Sequence, residues 1–142
     1  MRENIGLFRG KRIDIGEWVE GFYHRVTNNW THENVHYITH FQDMPITGET
    51  ILTVQYEVDP DTIGECTGLK DLSRITLFEH DVVTAKFKGN GARFNFKIIF
   101  KEGAFLFDNG TIAVPFNQIR SAVKIGNAID NPELLKGGEG NG

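Results

Sequence analysis

Between Val82 and Phe100 the chain alternates apolar and polar residues on both sides of Gly89-Asn90-Gly91-Ala92, a pattern that fits a β-hairpin and few other structures. A repeat of two places alternate side chains on opposite faces of a strand. Lys86 and Lys88 then share one face with Phe87 on the other. Across the turn, Arg93, Asn95 and Lys97 share a face, with Phe94, Phe96, Ile98 and Phe100 opposite. We therefore expect Val82, Phe87, Phe94, Phe96 and Ile98 to be buried. The outward face is expected to carry a basic stripe of Lys86, Lys88, Arg93 and Lys97.

The rest of the sequence repeats the theme in short runs, with almost no helical period. Strands are expected from Leu7-Phe8, over Trp18–Tyr23, around Val35–Phe41 and from Ile51 to Val58. Further strands are expected at Ala104–Phe107, Thr111–Val114 and Ala122–Ile125. Met44–Glu49 reads as a connection, and Asp59-Pro60-Asp61 ends a strand because proline cannot donate to a ladder. Pro115–Ile119 suits a single helical turn. Asn131-Pro132-Glu133 carries the capping residue, proline and acid that begin a short helix. With 11 Phe and 2 Met, the composition favours a stiff aromatic β core over a helical bundle. The expected fold is mostly β. An N-terminal β section spans residues 1–58. A C-terminal small β-barrel spans 59–136, SH3-like and five-stranded over about residues 80–126, with the short helix capping one end. Residues 137–142 read as a flexible tail.

Charge and cysteine usage narrow the function classes. The formal net charge of −4 argues against strong non-specific nucleic-acid binding. Its distribution is uneven: residues 82–101 hold five basic residues and no acid. A single cysteine, Cys66, excludes an internal disulfide and suits a reducing cytoplasm. Neither an apolar leader nor a run long enough to span a membrane is present, so a soluble intracellular protein is expected.

Catalytic and metal chemistry find little purchase. His32, His36 and His40 are four apart, a spacing that would stack imidazoles on a helix, yet their neighbours alternate as a strand. There His36 and His40 lie about 13 Å apart at about 3.3 Å per residue, too far for one ion. Glu57, Asp59 and Asp61 could gather round a cation, but Asp-Pro-Asp is common turn chemistry. Gly89-Asn90-Gly91 joins strand to strand, unlike a nucleotide loop, and Ser73 and Ser121 stand in no nucleophile motif. No catalytic residue, metal ligand or cofactor is expected. The basic stripe has two readings: a solvated face whose lysines discourage edge pairing, or a surface for an anion or partner.

Thr67-Gly68-Leu69-Lys70-Asp71, then Glu79-His80-Asp81-Val82-Val83, then Ile125-Gly126-Asn127-Ala128-Ile129-Asp130-Asn131-Pro132-Glu133-Leu134-Leu135 together resemble the signature of the YopX family. The opening Phe8–Ile13 and Gly16–Tyr23 is similar to the family's first strands. Two positions depart from the pattern. His80 stands where the family generally has glycine, and Cys66 where an aromatic residue is common. The resemblance implies a mostly β fold and a bacteriophage or prophage setting in a bacterial host. It brings no established activity and no site residues. The expectation is a non-enzymatic protein-interaction module that self-associates and meets an unknown phage or host protein. The alternative is a weak single-stranded nucleic-acid binder using the basic hairpin. The side on which Phe94 and Phe96 lie separates the two.

Overall fold

The computed structural model describes residues 6–43 and 50–136, so the expected connection at 44–49 and tail at 137–142 lie outside the described residues. The described residues up to Glu65 form one compact unit and those from Cys66 another.

In the N-terminal unit, β1 (Phe8–Lys11), β2 (Trp18–Thr27), β3 (Asn34–Asp43) and β4 (Thr50–Glu57) run antiparallel in the order β4-β3-β2-β1. The start of β5 (Gly64–Lys70) pairs with β1, Phe8 lying opposite Glu65. Ile38 and Val58 are the buried apolar centre of this unit. The ladder between β2 and β3 closes over Gly21, where a Cβ would sit 2.1 Å from the Thr39 carbonyl oxygen. Asp59-Pro60-Asp61 ends the β4 segment as anticipated. Asp59 accepts the Asp61 N–H (3.0 Å) and caps a 3-10 turn over Pro60–Thr62.

The rest of β5 pairs with β6 (Thr76–Phe78), so Thr67–Lys70 lies in a hairpin strand, with Asp71 just past its end. Five strands follow: β7 (Asp81–Phe87), β8 (Arg93–Lys101), β9 (Ala104–Asp108), β10 (Ala113–Pro115) and β11 (Ile119–Asn127), in the order β10-β9-β8-β7-β11. The hairpin across Gly89–Ala92 is in place, Phe87 accepting from Gly91 N–H and donating to the Ala92 carbonyl (both 2.9 Å). Val83, Ala85, Phe96, Ile98, Phe107 and Ile119 build the core with Leu77 of β6. Phe87 packs edge-on against Phe94 and Phe96, with centroids 5.4 and 5.5 Å apart. Of the residues expected inside, Val82, Phe96 and Ile98 are fully buried, and Phe87 and Phe94 lie half-buried against the core. Phe100 differs: it is half-exposed, with its cross-strand neighbour Phe105 edge-on (5.0 Å).

Two expectations are corrected. The sheet is not a closed barrel, since β10 and β11 stand at its opposite edges. The cause is local: β10 is three residues long and ends at Pro115, which has no N–H to extend a ladder, and the chain leaves in a 3-10 turn over Phe116–Gln118. The expected C-terminal helix is one 3-10 turn, Pro132–Leu135, whose leading Asn131 makes no side-chain capping bond. This turn covers the outer face of the sheet. Asn95 Nδ2 donates to the Leu134 carbonyl (2.8 Å), and a Cβ on Gly126 would meet Leu134 at 2.8 Å. Gly126 is the cross-strand partner of Val82, which explains why Val82 is buried although it points away from the core.

Candidate interaction surface

The buried polar side chains of the signature stretches are spent on nearby backbone groups and on Lys124. Asp71 Oδ1 accepts the N–H groups of Ser73 and Ile75 (2.8 and 2.9 Å), and Oδ2 accepts the Lys124 N–H (2.8 Å). Burial raises the pKa of this carboxyl, but the three N–H donors and the nearby Lys124 charge prevail and hold it below the usual carboxylate range. The Thr67 hydroxyl donates to the Leu77 carbonyl (2.8 Å) and accepts from Leu69 N–H (3.1 Å). Asp81 is fully buried; it accepts from Phe78 N–H (2.8 Å) and ion-pairs with Lys124 Nζ (3.2 Å). Asn127 Oδ1 caps the N–H groups of Ile129 and Asp130, while Ala128 N–H donates to the His80 carbonyl (2.7 Å). These contacts are scaffolding. His80 itself sits at φ 78°, the left-handed region that favours glycine, which accounts for the glycine usual there in the family it resembles.

The scaffold frames a groove of about 230 Å³ in the C-terminal unit. Its floor is Leu77, Phe107 and Ile119 of the core, with Phe116 stacked on Phe107 at 4.2 Å between ring centroids. Leu69 and Leu72 stand on its rim, 47% and 66% exposed, and Lys70 and Arg120 line it as well. A second hollow of about 400 Å³ lies in the N-terminal unit, where Arg12 stacks over Tyr56 (4.1 Å) and grips Asp14 (2.6 Å).

The four predicted basic residues are only partly brought together. Lys86 lies directly opposite Arg93, and Lys88 follows just past the end of β7. Lys97 is about 13 Å further along β8 at about 3.3 Å per residue, opposite Asp108 in a different setting. The residue missing from the sequence reading is Arg120, which pairs with Lys86 from the other side. Only the return of β11 onto β7 reveals it, a register no local pattern encodes.

Two of the three histidines are occupied locally. His36 Nδ1 bonds the Tyr23 hydroxyl (2.8 Å), His40 Nδ1 reaches the Glu20 carbonyl (2.9 Å), and His32 lies in the connection between β2 and β3. Among the described residues no three His, Cys, Asp or Glu side chains gather as metal ligands. Cys66 is buried, with its sulfur accepting from Gly68 N–H (3.4 Å). No helix among the described residues is long and apolar enough to cross a membrane.

The family model of the YopX protein matches residues 7–136. Among solved structures, protein EF1440 from Enterococcus faecalis is similar at 25% identity, with a TM-score of 0.53 over 91% of this chain and 96% of that one. No curated protein matches the chain.

Proposed function

This chain belongs to the YopX protein family, and we propose that it is a non-enzymatic protein-interaction module of phage or prophage origin, able to self-associate. The observation that carries this reading is the groove. The signature's polar side chains are consumed by backbone bonds, and what they hold open to solvent is an apolar cleft with two exposed leucines on its rim. Exposed apolar surface over a built floor suits a partner side chain. A single-stranded nucleic-acid binder is less well supported. Phe96 is fully buried and Phe94 packs on the core, so neither ring is a platform for bases.

The test is affinity capture from phage-infected host cells with and without nuclease, using the parent chain and Leu72→Glu in parallel. Capture that survives nuclease and is lost in the variant supports the reading. A complex that disappears with nuclease and ignores the variant refutes it. Sedimentation of the purified protein over a concentration series tests self-association.

A further inference from the structure

Lys86 is flanked on its own face by a cation on each neighbouring strand, Arg93 on β8 and Arg120 on β11. Adjacent strands are about 4.8 Å apart, so three positive side chains stand in a row about 10 Å wide. Like charges placed directly opposite repel, and none of the three forms an ion pair among the described residues. The next positions on this face are Thr84, Asn95 and Lys88, with no carboxylate to compensate. Arg93 Nη1 is tethered to Thr84 Oγ1 (3.3 Å). Arg120 leans over the hairpin, its Nη2 about 3.5 Å from where a Cβ on Gly91 would stand.

Edge protection does not explain the row. Lysines guard strands whose ladders are open, and β7 and β8 are interior strands of their sheet. Only Arg120 lies on an edge strand. We propose that Arg93, Lys86 and Arg120 form an oxyanion site for carboxylates, and that the partner of the groove is an acidic protein segment carrying an apolar anchor residue. Arg120 belongs to both features, lining the groove and ending the row. An apolar side chain seated against Phe116 and Leu72 would place flanking acids over Arg120 and on towards Lys86. Two planar guanidinium forks on either side of an ammonium suit carboxylates in succession. A sugar-phosphate strand fits less well: its backbone offers nothing for the apolar groove, and its bases find no exposed ring beside the row.

This inference rests on the interaction-module reading, and its test separates the two. Fluorescence anisotropy at low salt would compare three probes: an eight-residue peptide of glutamates around one leucine, its glutamine counterpart, and an eight-nucleotide oligothymidine. Each is titrated with the parent chain, with the triple variant Lys86→Gln/Arg93→Gln/Arg120→Gln, and with Leu72→Ala. The glutamate peptide should bind tightest, weaken about tenfold or more in the triple variant as several exposed charge pairs are lost, and weaken in Leu72→Ala as well. Circular dichroism of the variants checks that these surface changes leave the fold intact. Oligothymidine binding tighter than the glutamate peptide, or peptide binding indifferent to the triple variant, overturns the proposal. If cellular capture fails in Leu72→Glu but survives in the triple variant, the module reading stands and the acidic partner falls.

Discussion

Replacing Asp71 with asparagine should weaken the C-terminal unit by about 2 kcal/mol, and the loss should depend on pH. The carboxylate is 8% exposed and accepts three backbone N–H groups, two on Oδ1 and one on Oδ2. Bonds to a charged acceptor contribute about 1.5–3 kcal/mol each and neutral ones about 0.5–1.5, so three such bonds lose about 3 kcal/mol together. With two donors on Oδ1, the asparagine amide turns its N–H₂ towards the third, Lys124 N–H, whose bond disappears. Against this, the neutral side chain is cheaper to bury, and proximity to solvent screens the charge, which brings the net to about 2 kcal/mol. With a urea dependence of about 1–3 kcal/mol/M, the unfolding midpoint should fall by about 1 M. The sign with pH follows from the lowered folded-state pKa: its stabilisation is complete above the unfolded value near 3.8 and is lost as pH falls through the folded value. The gap between parent and variant should therefore be constant above about pH 5 and close below about pH 4. A gap equally wide at pH 3 and pH 7, or a midpoint unmoved at pH 7, would refute the reasoning.

Phe96→Ala should cost about 3–5 kcal/mol by chemical denaturation, since Phe96 is wholly buried among Phe87, Phe94 and Phe107. Gly126→Ala should lower the melting temperature and raise hydrogen exchange at Leu134 and Lys136, because the new methyl meets Asn131 Oδ1 at 2.6 Å and Leu134 at 2.8 Å. His80→Gly should raise the urea midpoint by the equivalent of up to about 1 kcal/mol, as a left-handed residue is relieved. In a thermal-shift assay at matched ionic strength, inorganic phosphate should raise the melting temperature of the parent more than that of the Lys86/Arg93/Arg120 triple variant.

Where neighbours in sequence determine the outcome, the chain is readable. The hairpin at Gly89–Ala92 and the inward turn of Phe94 and Phe96 follow from a two-residue period and a turn sequence. What failed depends on distant residues or on ladder length. No strand is expected at Thr67–Lys70 from its own pattern, and its pairing shows only once its partner β6 is known. The barrel stays open because β10 stops at Pro115, a matter of which strand runs out first. Lys97 drops out of the basic cluster and Arg120 enters it because strand order, not sequence distance, sets which cations meet.

The bond from Lys124 to Asp71 bridges 53 positions, and that span bears on the order in which the chain can fold as it is made. An emerging chain that has displayed β5 and β6 already holds a carboxylate whose third donor is still inside the ribosome, as is the strand that will flank β7. At about 5–20 residues per second, several seconds separate the two events. Through that interval the floor of the groove is incomplete, because Ile119 belongs to β11 itself. The unit should reach its native state only after the last strand is free, by a slow step dominated by long-range pairing. A ribosome-arrested chain ending before Lys124 should accordingly stay protease-sensitive and be a client for chaperones.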